Sequence, residues 1–193
     1  MTFPRGTRLA STSSGCLVVI DMQERLLPVI EAAEQITRRC RFLLEAARLL
    51  SVPVVMTEQY PRGLGATIES LRSVAADAVF HEKLRFSAAE VLLAAGVLPS
   101  NVRQLVLTGI ETHICVQQTA LDLVAAGWDV ILAADASSSR QAADKSTAVD
   151  RLRAAGVTIS TVEAIAFEWC ETAEHPAFRQ LSALVRARES AGW

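Results

Sequence analysis

Short, continuous apolar runs alternate along the chain with longer segments whose apolar residues recur at three and four. Cys16-Leu-Val-Val-Ile20 is the first run. It is too short for a helix and carries no polar position, as a parallel strand buried on both faces requires. From Val29 to Leu50 the period changes. Val29, Ala33, Ile36, Cys40, Leu43, Leu44 and Ala47 share one helical face, and Glu31, Glu34, Arg38, Arg41, Glu45 and Arg48 lie largely elsewhere. Val52–Met56 reads as a second strand, with Pro53 tolerable only at its start. A Pro/Gly loop, Tyr60–Gly65, follows it. Ala78–Phe80 is a weaker third strand, and Ser87 opens a helix to Ala95, with Glu90 placed to complete a capping box. Val102–Leu107 is the fourth strand and Thr112–Ala126 a mostly apolar helix stopped by Gly127. Val130–Ala134 is the fifth strand, Gln141–Ala155 a more polar helix, and Val157–Val162 the sixth strand. Pro176 starts a last amphipathic helix with Phe178, Leu181, Leu184 and Val185 on one face. Strand and helix in repeated alternation predict a three-layer α/β/α sandwich around a six-stranded parallel sheet. The pattern alone leaves the strand order open.

Composition narrows this picture. The 193 residues are 51% hydrophobic and 21% charged, enough to bury the core of one domain. We expect a Ser/Thr/Arg-rich flexible leader over residues 1–15, without the apolar segment of a signal peptide, and a single domain over 16–193. A net charge of −2 and 5% aromatics argue against nucleic acid and anionic membrane as partners. No run approaches the length of a membrane helix. Cysteines 16, 40, 115 and 170 are scattered without a CxxC, which fits reduced thiols in a cytoplasmic protein. The three histidines show no ligand spacing, so neither a metal nor another cofactor is expected.

In parallel sheets ligands bind outside the carboxyl ends of the strands, and reactive groups collect there. Asp21 follows the first strand, Glu58 and Gln59 the second, Lys83 the third, Cys115 the fourth and Asp135 the fifth. Cys115 falls in the first turn of a helix, where the helix dipole favours a thiolate and free N–H groups face a developing oxyanion. Asp21 is placed to exchange a proton with Cys115, and Lys83 to hold the charge. Taken singly, each has a plainer reading: a core cysteine, a turn-forming aspartate, a solvated lysine. His113 lies two positions before Cys115, on another helix face, so a Cys–His dyad is not expected. Asp135-Ala-Ser-Ser-Ser-Arg140 reads as a Ser-rich turn with a helix cap, and the tryptophans 128, 169 and 193 as packing or interface residues.

Four segments together resemble the isochorismatase-like cysteine hydrolases: Val18-Val-Ile-Asp-Met-Gln23, Thr57-Glu-Gln-Tyr-Pro-Arg-Gly-Leu-Gly65, Glu82-Lys-Leu-Arg-Phe-Ser87 and Leu107-Thr-Gly-Ile-Glu-Thr-His-Ile-Cys115. The second segment and His175-Pro-Ala-Phe178 are most similar to the isochorismatase domain-containing branch. The resemblance implies strand order 3-2-1-4-5-6, a catalytic triad of Asp21, Lys83 and Cys115, and a cis peptide between Ile110 and Glu111. Ile110, Glu111 and Ile114 would then shape the oxyanion site. Gln23, Glu58, Gln59 and Phe86 are the pocket candidates, and a homo-oligomer (dimer or tetramer) is implied. Nicotinamidases of this family carry an Asp-x-His metal motif after the second strand. Here that stretch reads Thr57-Glu-Gln-Tyr60. True isochorismatases lack the nucleophilic cysteine. The expected function is therefore metal-independent hydrolysis of a small amide-like substrate through a thioester. An ether-cleaving hydrolase and a non-catalytic small-molecule-binding or reactive-thiol protein are the alternatives.

Overall fold

Six parallel strands form one sheet in the order β3-β2-β1-β4-β5-β6. The computed structural model describes residues 5–190. The strands are β1 (Gly15–Ile20), β2 (Val54–Gln59), β3 (Val79–Lys83), β4 (Gln104–Ile110), β5 (Asp129–Ser138) and β6 (Thr158–Ser160). The helices are α1 (Ala33–Leu49), α2 (Pro61–Leu64), α3 (Glu69–Arg72), α4 (Ala89–Leu92), α5 (Gln117–Ala125), α6 (Ala142–Ala154), α7 (Val162–Cys170) and α8 (Phe178–Ser190).

Successive strand residues enter opposite layers, because side chains alternate across a sheet. Leu17, Val19, Met56, Val106 and Ile131 pack against Ile36, Cys40, Leu43 and Leu44 of α1 and Ile165 and Trp169 of α7. Cys16, Val18, Ile20, Val55, Leu105, Leu107 and Leu132 pack with Leu92, Ala120, Leu123 and Leu152 on the other face. A strand buried on both faces has no polar position to spare, which is why these runs are continuous.

Several boundaries differ from the sequence reading. α1 begins at Ala33, after a 3-10 turn over Leu27–Val29, because Pro28 interrupts the approach; Val29 is 59% exposed. β2 and β3 extend through Gln59 and Lys83, so Glu58, Gln59 and Lys83 are strand residues rather than loop residues. Asp135 likewise lies inside β5. The loop at Tyr60–Gly65 contains the short helix α2. No capping box forms at α4: Ser87 Oγ accepts from Ala89 N at 3.2 Å, and Glu90 pairs instead with exposed Arg85. Val162 starts α7 instead of ending β6; its N–H donates to Asp135 Oδ1 at 2.8 Å, and Thr161 caps the helix. Two β-branched residues had drawn that stretch into the strand.

Residues 5–14 of the expected flexible leader are pinned to the domain. Ala10 is fully buried, its N–H donates to Glu168 Oε2 at 2.7 Å, and Ser11 N–H donates to Gln104 Oε1 at 3.0 Å. Residues 1–4 lie outside the described residues, as does Trp193. All four cysteines are free and buried. No helix among the described residues is long and apolar enough to cross a membrane.

Candidate active site

The site lies at the switch point, where β2 leaves β1 on one side and β4 on the other. Ile20 pairs with Thr57 of β2 and with Gly109 of β4. The next residue, Asp21, leaves the sheet with φ at 52°. That left-handed conformation costs a non-glycine residue about 1–3 kcal/mol unless its surroundings impose it. Here they do. Asp21 N–H donates to Thr57 carbonyl at 3.1 Å, and Asp21 carbonyl accepts from Gln23 N–H at 2.8 Å. Its carboxylate takes Thr57 Oγ1–H at 2.7 Å on one oxygen and Lys83 Nζ at 2.7 Å on the other.

Lys83 reaches Asp21 from two strands away, across β2. The register explains how. Gln59 is the partner of Lys83, and it sits two residues beyond Thr57 on the same face of β2. Lys83 Nζ donates to Gln59 Oε1 at 2.7 Å and to the Phe86 carbonyl at 2.9 Å, with the Arg85 carbonyl at 3.4 Å. An ammonium has three protons, so its short contacts to Asp21, Gln59 and Phe86 use them all. The pair is dry: the Asp21 side chain is 0% and the Lys83 side chain 2% exposed.

Cys115 stands beside this pair, in a π-helical turn over Thr112–Val116 that precedes α5. It is 6% exposed. Burial and the Asp21 carboxylate push its thiol up to about 12, and the Lys83 ammonium opposes them only partly. This corrects the expectation that the helix N-terminus would lower it. Losing hydration and gaining an anionic neighbour both disfavour a thiolate. The resting cysteine therefore carries its proton next to a carboxylate able to accept it.

The Ile110–Glu111 peptide is cis, and both residues are buried. The Ile114 N–H donates to the Glu111 carbonyl at 3.1 Å, and Val116 N–H donates to the same oxygen at 3.2 Å. Ile114 is thus engaged within the turn, contrary to its expected part in binding an oxyanion.

The pocket candidates divide. Gln59 belongs to the charged cluster, and its Nε2 donates to the Leu84 carbonyl at 2.8 Å. Gln23 is fully buried and saturated: Nε2 donates to the Gln59 and Gly65 carbonyls at 3.0 and 2.6 Å, and Oε1 accepts from Gln59 N–H at 2.8 Å. It braces the loop after Asp21 against β2 rather than facing substrate. Glu58 points to the other side of β2, where it accepts from Thr67 N–H at 2.8 Å and Arg72 at 3.0 Å. Phe86 is 53% exposed, and its carbonyl is the group that reaches the site. A cleft of about 410 Å³ is lined by Tyr60, Pro61, Arg62, Glu82, Lys83 and Leu84.

Sequence reasoning missed Thr57. Its signal was present, a polar residue next to an apolar run, but the strand was ended at Met56, short of Thr57 and of its true end at Gln59. It also missed Ser139, which is fully buried and bonded to His113 (Oγ to Nδ1, 2.9 Å). Among the described residues, no group of three or more His, Cys, Asp or Glu is placed to hold a metal ion. Glu58 and Gln59, in the stretch where nicotinamidases carry their motif, are committed to the contacts just described.

Strand order and polar cluster together define a doubly wound α/β domain with a buried carboxylate, ammonium and thiol at its switch point. The chain belongs to the isochorismatase-like hydrolase family: the Isochorismatase domain profile matches residues 15–164. It is 39% identical over 178 residues to isochorismatase domain-containing protein 1 of Danio rerio, covering 91% of this chain and 62% of that protein. The chain spans about three-fifths of the length of the first such relatives it matches. Among solved structures, the MAR1 ribonuclease of Caenorhabditis elegans superposes with a TM-score of 0.84 at 33% identity, covering 92% of each chain. The pyrazinamidase/nicotinamidase of Streptococcus mutans shares the fold, with a TM-score of 0.67 at 19% identity over 76% of this chain and 100% of that one.

Proposed function

We propose that this protein is a metal-independent cysteine hydrolase that cleaves a small amide-like substrate through a thioester on Cys115. The observation that supports this reading is the dry Asp21–Lys83 pair, 2.7 Å apart, beside the Cys115 thiol. Asp21 takes the thiol proton as Sγ bonds to the carbonyl carbon. Backbone N–H groups near Cys115, other than those of His113, Ile114 and Val116, receive the oxyanion. Asp21 returns its proton to the nitrogen as the C–N bond breaks and the amine leaves. Water then attacks the thioester and gives a proton to Asp21. The C–S bond breaks, and the sulfur recovers that proton. Throughout, Lys83 keeps the Asp21 carboxylate oriented and balances its charge in a site that water does not screen.

A high resting position for the thiol agrees with this sequence of steps. The proton leaves with the attack instead of before it, so the free enzyme holds no standing thiolate to be oxidised. The four free, buried cysteines support a cytoplasmic protein. The exposed Val79, Leu84 and Phe86, on and just beyond the edge strand β3, support self-association as a dimer or tetramer, which light scattering reads directly.

The test is a library of small amides and esters incubated with the protein and read by intact mass. The expected result is an acyl adduct that maps to Cys115, with turnover lost in Cys115→Ala. Turnover of a true substrate at an unchanged rate in Cys115→Ala would sink the thioester route and leave an ether-type hydrolysis run by Asp21. A second reading, RNA hydrolysis, is favoured by the 33% identity to the C. elegans ribonuclease. Cleavage of an RNA panel that depends on Asp21 and Lys83, without any acyl adduct, would replace the amide reading with that one.

A further inference from the structure

We propose that Ser139 and Arg140, together with Asp144 of α6, form a clamp that positions the turn carrying Cys115 against Asp21, with Ser139 as its central positioning residue. The proposal rests on Cys115 being the nucleophile.

The clamp originates in an irregularity of the sheet. Leu107 of β4 pairs with Leu132 of β5, and Gly109 pairs with Ser137, so two steps along β4 correspond to five along β5. The surplus residues of β5 bulge out, and the strand then rejoins β4 at its end, with Ser138 beside Ile110. Residues 139 and 140 are thereby delivered to the nucleophile's turn.

Two grips follow. Arg140 holds Glu111 from outside: its N–H and its Nε both donate to Glu111 Oε2, at 3.0 and 3.1 Å. The carbonyl of the same Glu111 accepts from Ile114 and Val116, so the residue that opens the turn is held at both ends. Ser139 holds His113. Its Oγ lies 2.9 Å from His113 Nδ1 and accepts from His113 N–H at 3.4 Å. His113 Nε2 faces Asp144 Oδ2 at 3.8 Å. The two ring nitrogens thus face two different partners, Nδ1 the Ser139 hydroxyl and Nε2 the Asp144 carboxylate. The order Ser–His–Asp resembles a hydrolytic triad, but Ser139 is 0% exposed, and no substrate reaches a hydroxyl so enclosed. Its job is to fix the turn.

The same segment ties down the other side of the site. Glu31 N–H donates to the Ser139 carbonyl, and Ser138 Oγ donates to the Glu31 carbonyl, both at 3.0 Å. Glu31 ends the loop that begins at Asp21. One three-residue segment therefore joins the loop of the base to the turn of the nucleophile, and sets the distance between them.

The experiment follows alkylation of Cys115 by iodoacetamide at pH 7.5, in which Asp21 must take the thiol proton as the sulfur attacks, read by intact mass, with Cys115→Ala to identify the adduct. No substrate is needed, so its outcome is separate from that of the hydrolase reading. A nucleophile displaced by about 1 Å can lose 10²-fold in rate. For Ser139→Ala we expect alkylation slowed by about 10- to 100-fold on that basis, with the folded far-UV spectrum kept. Arg140→Gln and Asp144→Asn, at half-exposed positions, should slow it less, and together more than either alone. If Ser139→Ala does not fold, the Arg140→Gln/Asp144→Asn double variant decides. An unchanged or faster rate in the folded variants overturns the clamp. Once a substrate is in hand, the clamp predicts lower kcat with little change in KM. Slowed alkylation alongside full turnover in Cys115→Ala would keep the clamp and remove the thioester reading; the converse pair of results would do the opposite.

Discussion

Asp21 shows what one residue must satisfy at this site. It is fully buried, has a positive φ, and carries a carboxylate that accepts from a hydroxyl and an ammonium. Two charges removed from water are tolerated only because Thr57, Gln59 and the Phe86 carbonyl satisfy what the ion pair leaves over. Lys83→Met should cost about 3–5 kcal/mol in urea unfolding, since it strands a buried carboxylate. Asp21→Asn on its own should be costly for the mirror reason. The Lys83→Met/Asp21→Asn double variant should be less destabilised than the two single costs added, because neither uncompensated charge survives in it. Strict additivity would show that the pair is not coupled. The residue types were legible from strand ends alone, but the pairing was not. Lys83 is 62 residues from Asp21 and reaches it only across a strand whose Gln59 side chain bridges the gap.

At the scale of elements, β1 and β4 come so close at the switch point that side-chain volume there is forbidden. Gly109 has φ of +110°, and a Cβ on it would lie 2.1 Å from the Ile20 carbonyl oxygen. Gly109→Ala should therefore give insoluble or unfolded protein, visible as loss of the cooperative thermal transition; a soluble variant with native stability would contradict this packing. Strand ends were harder to read than strand centres. Thr57, Gln59 and Lys83 are polar, so periodicity stopped at Met56 and Phe80, yet backbone pairing continued to Gln59 and Lys83 because their side chains meet one another instead of solvent. In the same way Ser137 and Ser138 look like a turn in sequence but form the end of β5, with Ser139 and Arg140 directly beyond it. The Ser137 hydroxyl turns back to the Ala133 carbonyl within the bulge, at 3.2 Å, and the Ser138 hydroxyl reaches the Glu31 carbonyl at 3.0 Å.

For the molecule as a whole, the buried thiols make stability depend on alkaline pH. Cys16, Cys40 and Cys115 are each pushed from 9.0 up to about 12, chiefly by burial. A raised folded value means that the unfolded chain loses its thiol protons first. Stability contributed by the neutral thiols is therefore complete below pH 9 and is lost as pH climbs from there toward 12. The limiting slope is about 1.4 kcal/mol per pH unit for each thiol. Urea unfolding between about pH 8 and 11 should show this decline, and Cys16→Ala should remove about one thiol's share of the slope. An identical slope in that variant would mean that Cys16 ionises freely in the fold.

The alternation of apolar runs and helical faces by itself determined the fold class, because a strand buried on both faces and an amphipathic helix leave different periods in the chain. Residue chemistry at strand ends, with the order of the motifs, determined which carboxylate, ammonium and thiol to consider. Tertiary structure alone decided the rest. It set which residue of each polar strand end faces the cluster, turning Gln59 inward and Glu58 away. It reversed the expected acidity of Cys115, since burial and the neighbouring carboxylate are properties of packing and not of position in a helix. It also turned a serine-rich stretch into a hold on the nucleophile's turn. The physical reason is common to all three: hydrophobic periodicity is a local signal, whereas the fate of a polar side chain depends on partners that only the folded sheet brings within hydrogen-bonding distance.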